Sequence, residues 1–241
     1  MSAAKHRRVL LKLSGEALLG QRAECIDQSI LASLASQIRQ ARARKIQLAV
    51  VIGGGNMCRG AAGANRREDR ARADAMGMLA TVINALALQG ALQQINVPCR
   101  AMSAITMAPR LCEPYDRARA LRALDANDVV ICAGGTGNPY FTTDTAAALR
   151  ALELNCQVLF KATKVNGIYD KDPAQSADAR CYESLTHRDV VTRRLRVMDL
   201  AAVCLCEENH LPIHVFNCLQ EENLLKALQG QLVGTRIHSA A

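Results

Sequence analysis

Four short stretches of the chain set cations beside glycines at the ends of apolar runs. In Lys12-Leu13-Ser14-Gly15 a lysine closes a strand-like run, and Gly15 lets the backbone come close to a phosphate. Gly53–Arg59 (GGGNMCR) offers successive N–H groups as an anion nest, and Arg59 adds a fork of donors. Ala133–Thr145 (AGGTGNPYFTTDT) carries Gly134, Gly135 and Gly137, then an Asn138-Pro139 turn signal, then Thr142, Thr143 and Asp144, whose oxygens suit a helix N-cap. A strand, a glycine turn and a capped helix start form an anion site, because free N–H groups and the positive end of the helix dipole converge there. Lys161–Asp172 (KATKVNGIYDKD) supplies Lys161 and Lys164, a turn glycine, an aromatic ring and carboxylates. One such loop is an ordinary turn. Four together, bringing Lys12, Arg59, Lys161 and Lys164, match what phosphoryl transfer requires: cations and N–H donors around a migrating phosphate. No G-x-S-x-G elbow, H-E-x-x-H, Rossmann G-x-G-x-x-G or P-loop pattern occurs, so those chemistries find no support.

The elements that must hold these loops alternate. Arg8–Leu13 reads as a first strand. Over Asp27–Arg44, residues Ile30, Leu31, Leu34, Ala35, Ile38 and Ala41 recur at helical spacing behind Asp27 as N-cap. Ile46–Ile52 is a strand; an arginine-rich polar loop follows, then a long helix through Met76–Gln94. A strand at Val97–Met102, a helix at Tyr115–Leu124, a strand at Val129–Ala133, a helix at Ala146–Leu154 and a strand at Gln157–Lys161 come next. After the polar loop Lys161–Pro173 the pattern gives a helix at Asp199–His210, a strand at Ile213–Phe216, a helix at Glu221–Gln229 and a last edge strand at Gly234–His238. The strands are continuous apolar runs, the mark of a parallel sheet covered on both faces. The expectation is therefore an α/β fold, a three-layer α/β/α arrangement with a mostly parallel central sheet. Ligands in such sheets sit at the carboxyl ends of the strands, where the four loops fall.

Composition narrows the field. The 241 residues are half hydrophobic with three Phe, four Tyr and no Trp, so the core must be aliphatic. No run approaches the roughly 18 uncharged apolar residues of a membrane span, and the N-terminal apolar stretch is too short for a secretory signal. A cytoplasmic protein without a membrane partner is expected. Of the ten cysteines, Cys132, Cys156, Cys204 and Cys206 sit in apolar runs and read as reduced core residues. Cys204, Cys206, His210 and His214 have a zinc-like spacing, but residues two apart on a helix point about 200° apart and Pro212 ends the helix, so no metal site is assigned. The net charge of +8 is concentrated in Arg66–Arg72 and Arg188–Arg196, without interleaved aromatics; these read as solvated helix faces, and no nucleic-acid partner is expected.

Six segments in order, KLSGEAL (12–18), VIGGGNMCRG (51–60), ADAMGMLATVIN (73–84), GGTGNPYFTTD (134–144), KATKVNGIYDKDP (161–173) and MDLAA (198–202), closely resemble those of the bacterial uridylate (UMP) kinases, within the amino acid kinase superfamily. TGNPYFTTD with DAMGMLATV carries the specificity of the match; GGGN alone indicates only the superfamily. The resemblance implies ATP + UMP giving ADP + UDP in pyrimidine nucleotide biosynthesis, with Mg²⁺, in a homohexamer activated by GTP and inhibited by UTP. It implies one domain over residues 1–241, with an acceptor-binding lobe at about 8–155 and an ATP-binding lobe at about 156–238. Matched residue by residue, Lys12, Leu13, Ser14 and Gly15 line the ATP phosphates with Gly55 and Arg59, while Thr163, Tyr169 and Asp172 meet the adenosine end. Gly54 and Asp74 face UMP, Asp74 toward the ribose hydroxyls, and Thr136, Gly137, Asn138, Pro139, Tyr140, Phe141, Thr142 and Thr143 wrap its base and phosphate. Lys12, Asp144 and Lys161 form the catalytic set. Asp144 either orients Lys12 or holds Mg²⁺; one of Lys161 and Lys164 reaches the phosphates while the other is solvated; Asp199 is either a carboxylate behind the site or a helix N-cap.

The chain departs from the family where Ala23 and Cys25 replace common glycines, and where Gln89 and Gln93 stand at positions that are basic in some members; both regions are tied to GTP control. Residues 61–72 are unusually rich in arginine. Competing readings are a relative that phosphorylates a carboxylate or carbamate, which would lack TGNPYFTTD; a non-catalytic nucleotide- or oxyanion-binding member, which would lack Lys12 or Asp144; and a nucleic-acid binder. The apolar face of the Met76–Gln94 helix is expected to form part of the subunit contact.

Overall fold

β1 (Arg8–Leu13) runs through the middle of the molecule: only Arg8 reaches solvent, and the next five residues are buried. Its side chains alternate between two cores. Val9, Leu11 and Leu13 belong to one apolar cluster and Leu10 to the other, so each helical layer receives every second residue, as a doubly covered strand requires. The same holds for β2 (Gln47–Ile52), where Leu48, Val50 and Ile52 face one layer and Ala49 and Val51 the other. The computed structural model describes residues 6–19, 25–57, 70–173, 175–176, 178–195, 197–220 and 222–240.

The remaining strands are β3 (Cys99–Ser103), β4 (Glu113–Pro114), β5 (Val129–Ala133), β6 (Leu159–Thr163), β7 (Ser184–Thr186), β8 (Ile213–Asn217) and β9 (Thr235–His238). They form one sheet in the order β4-β3-β5-β2-β1-β6-β8-β9-β7. Every pairing is parallel except β8 with β9. The helices are α1 (Gln28–Ala43), α2 (Arg70–Gln94), α3 (Arg117–Asp125), α4 (Thr143–Glu153), α5 (His187–Thr192), α6 (Leu200–Glu208) and α7 (Asn223–Leu228). Helices α1, α2 and α7 pack on one face, and α3 to α6 on the other. The expected three-layer α/β/α architecture is the observed one.

Four local readings need correction. β9 is not the edge, because β7 pairs beside it in parallel. α2 begins at Arg70, six residues before the expected start, which places Arg70 and Asp74 on the helix. Cys204 is exposed, whereas Cys132, Cys156 and Cys206 are buried, with burial pushing each thiol up to about 12. Residues 75–92 contain no charged side chain, so α2 is long and apolar enough to cross a membrane by length and composition. It lies instead against the sheet, burying Ala80, Thr81, Val82, Asn84, Ala85, Leu88 and Leu92. The zinc-like string does not converge: His214 lies inside β8 and bonds the Val233 carbonyl, while Cys204 is exposed on α6.

Candidate active site

Lys12 and Lys161 are register partners on the adjacent strands β1 and β6. Both are buried. Their spacing along the pleat sends them to the face covered by α4, where Thr142 caps the helix: its hydroxyl accepts from the backbone N–H groups of Asp144 (3.0 Å) and Thr145 (3.4 Å). Asp144, in the first turn, therefore points back at the strand ends. Its Oδ1 lies 2.8 Å from Lys12 Nζ and its Oδ2 2.6 Å from Lys161 Nζ. Two cations thus share one carboxylate.

Electrostatics follow from that count. Burial pushes the Asp144 carboxyl up, but the ammonium groups of Lys12 and Lys161 outweigh it and hold the group below the usual carboxylate range. For Lys161, burial comes first and the neighbouring Lys12 charge second; together they bring it down to about 8 despite Asp144. Two lysine cations held at the strand ends and removed from water are suited to a polyanion.

Asp199 joins this set from behind. It is the N-cap of α6, accepting from Ala202 N–H (2.9 Å), and it also accepts from the Thr145 hydroxyl (2.9 Å) and from that of Thr142. Both readings of Asp199 hold at once, since one carboxylate ties α6 to the start of α4.

Two cavities open among the loops at the strand ends. One, of 680 Å³, lies on the β6–β8 side and is lined by Thr163, Gly167, Tyr169, Asp172, Arg194 and Val215 among others. The other, of 230 Å³, lies over the ends of β2 and β5, lined by Gly54, Asp74, Thr136, Asn138, Phe141 and Thr143 among others. Between them Gly15 and the Gly53–Gly55 loop touch: a Cβ on Gly15 would sit 2.6 Å from the Gly53 carbonyl oxygen, so no other residue fits without displacing backbone.

The amino acid kinase family model matches residues 7–217. The chain belongs to the amino acid kinase family. Its fold superposes on the UMP kinase of Bacillus anthracis with a TM-score of 0.93 and 37% identity, over 98% of this chain and 97% of that one. The UMP kinase of Ureaplasma parvum gives 0.90 and 35% over 98% and 100%, and the uridylate kinase of Archaeoglobus fulgidus 0.70 and 29% over 95% and 99%.

In this amino acid kinase most of the residues singled out from sequence converge. Thr163, Tyr169 and Asp172 line the larger cavity; Gly54, Asp74, Thr136, Asn138, Phe141, Thr142 and Thr143 line the smaller. Gly55 lines the smaller cavity too, on the opposite side from the adenosine-end residues, because the β2 loop lies between β1 and β5. Gly137, Pro139 and Tyr140 do not line it. Tyr140, at φ 71°, instead donates its N–H to Asp74 (2.8 Å). Asp74 also accepts from Arg70 Nε through both oxygens (3.0 and 2.9 Å), a pairing that sequence reasoning missed. Leu13 is wholly buried and contributes a carbonyl to Gly53 N–H (2.9 Å). Ser14 precedes the 3-10 turn Gly15–Leu18. Lys164 is exposed, so Lys161 is the lysine brought to the centre. Arg59, Ala23 and residues 61–69 lie outside the described residues.

Proposed function

We propose that this amino acid kinase is a UMP kinase that moves the γ-phosphoryl group of ATP to UMP, giving ADP and UDP in pyrimidine nucleotide biosynthesis. One observation carries the reading: the Lys12–Asp144–Lys161 cluster adjoins in sequence the linings of two cavities of unequal size, through Thr143 next to Asp144 and Thr163 on the strand of Lys161, and the larger is roomy enough for a nucleoside triphosphate. The similarity to UMP kinases along nearly the whole chain supports the choice of acceptor.

ATP occupies the larger cavity with its adenosine end against Thr163, Tyr169 and Asp172, and its phosphates run toward Lys12, Ser14 and Gly15. UMP occupies the smaller one, within Thr136–Thr143 and beside Gly54 and Asp74. Its phosphate oxygen is already an anion, so no general base is needed. Lys12 and Lys161 neutralise the charge spread over the transferring group, and Asp144 holds both lysines at the strand ends. Among the described residues no group of three His, Cys, Asp or Glu side chains converges as a cage, and both Asp144 oxygens face lysines. Mg²⁺ arriving with ATP would supply further charge neutralisation on the transferring group.

The lobes divide near residue 155, with acceptor binding before it and ATP binding after it. We place the enzyme in the cytoplasm as a homohexamer, with GTP and UTP as its effectors. Self-association is supported by Met76, Leu79 and Ile83, which follow one another along α2 and are each about half exposed.

Steady-state transfer from ATP-Mg²⁺ to UMP, CMP, aspartate and acetylglutamate, with and without GTP, tests the reading. UMP-selective turnover is expected. Turnover with a carboxylate acceptor alone, or none with any acceptor despite nucleotide binding, overturns it.

A further inference from the structure

No role follows from the sequence for Thr81 and Asn84 of α2, yet these two reach the loops of both substrates. Asn84 is wholly buried. Its Nδ2 donates to the Gly53 carbonyl (2.7 Å) and to Asn56 Oδ1 (2.7 Å), and its Oδ1 accepts from Asn56 Nδ2 (3.0 Å). Asn56 Nδ2 also donates to the Cys25 carbonyl (2.7 Å). Both protons of each amide are therefore used, and the amide orientation is fixed: turning Asn84 over would set its oxygen against the Gly53 carbonyl. One turn earlier, Thr81 Oγ1 accepts from Gly134 N–H (2.8 Å) while donating to the Met78 carbonyl (2.7 Å). Between these contacts Gly54 sits so close that an added Cβ would lie 2.7 Å from the Gly77 carbonyl oxygen and 2.9 Å from Ala80 Cβ.

We propose that Asn84 is a positioning residue for phosphoryl transfer, and that the two turns Gly77–Asn84 of α2 fix the Gly53–Asn56 loop and, through Thr81, the Gly134 loop in one frame. The argument is geometric. The Gly53 carbonyl is wedged between Gly15 and the Asn84 amide, so the direction of the Gly54 N–H, which shares its peptide plane, is set by that hydrogen bond. Gly134 opens the acceptor loop from β5, and its N–H is tied to the same helix one turn away. A fully satisfied buried amide network has one low-energy arrangement, so the helix transmits a fixed spacing between the two loops. Asn84 touches neither substrate; it acts through Gly53.

The kinetic part rests on the UMP kinase reading; the exchange part does not. Asn84→Asp keeps the shape but cannot donate to Gly53, and Thr81→Val keeps the shape but cannot accept from Gly134. In N84D, kcat should fall about 100-fold with little change in either KM, since a misplacement of about an ångström at the reacting groups has that effect. Backbone amides of residues 53–57 should exchange with solvent faster in the same protein. T81V should raise the KM for UMP and leave that for ATP alone. A folded N84D with unchanged kcat and unchanged exchange at 53–57 overturns the proposal. Wild-type protein inactive on UMP, with exchange at 53–57 still faster in N84D, sinks the kinase reading and leaves only the anchoring of the Gly53–Asn56 loop by Asn84 standing. Should the buried carboxylate prevent folding, Asn84→Ser removes the reach to Gly53 without adding charge and is read the same way.

Discussion

Lys12 and Lys161 face each other across the β1–β6 pairing, and each ends within 3 Å of a different oxygen of Asp144. That shared carboxylate offsets the repulsion between the neighbouring like charges. Removing one member of a buried ionic set leaves the others uncompensated, which costs about 3–5 kcal/mol. Asp144→Asn should therefore lower the stability by that order in denaturant unfolding, and turnover should fall at least about 100-fold as the lysines lose their places. A variant as stable and as active as the parent would show that the carboxylate has no such role.

Lys161 gives the pH dependence its sign. Its folded value of about 8 lies below the ordinary 10.5, so between the two the unfolded chain binds more protons and this group's contribution to stability rises with pH. Activity runs the other way, because deprotonation removes a cation from the transferring phosphate. The kcat/KM of the free enzyme should decline as pH passes about 8, and Lys161→Arg, which stays charged, should abolish the decline. A flat wild-type profile across that window would contradict the assignment.

Tyr169 lines only the larger cavity. Its replacement by Ala should raise the KM for ATP about tenfold, a loss of roughly 1.4 kcal/mol of binding, with the KM for UMP and kcat little changed. Initial rates with each substrate varied in turn would check this; an equal effect on UMP would place the nucleotides differently.

Leu79 and Ile83 are four residues apart on α2, at 48% and 51% exposure. If that face joins subunits, the double variant Leu79→Glu, Ile83→Glu should sediment as a smaller species than the parent in analytical ultracentrifugation. Identical sedimentation would move the contact elsewhere.

Much of the architecture was legible because β1, β2, β5, β6 and β8 are dominated by consecutive apolar residues, and β2 and β5 run straight into glycines. Lys12 and Asp144 were found because one closes a strand and the other follows helix-capping threonines. The start of α2 was misplaced because RARADA looks like a polar loop, although Arg and Ala are good helix formers and Arg70 and Asp74 have the i, i+4 spacing of an ion pair. β4 and β7, at two and three residues, are too short to show any periodicity. Thr81 and Asn84 were hidden because a polar residue inside an apolar helix reads as an exception until its partner is visible.

The sheet order has an evolutionary reading. β1 is the fifth of nine strands, with β2, β5, β3 and β4 on one side and β6, β8, β9 and β7 on the other. The smaller cavity belongs to the first wing and the larger to the second, and the cation pair straddles the seam. Each wing can drift under its own selection so long as the seam is kept. Under the proposed placement of ATP in the larger cavity and UMP in the smaller, rewriting the β5–α4 loop and the first turns of α2 would change the acceptor while leaving the donor side untouched.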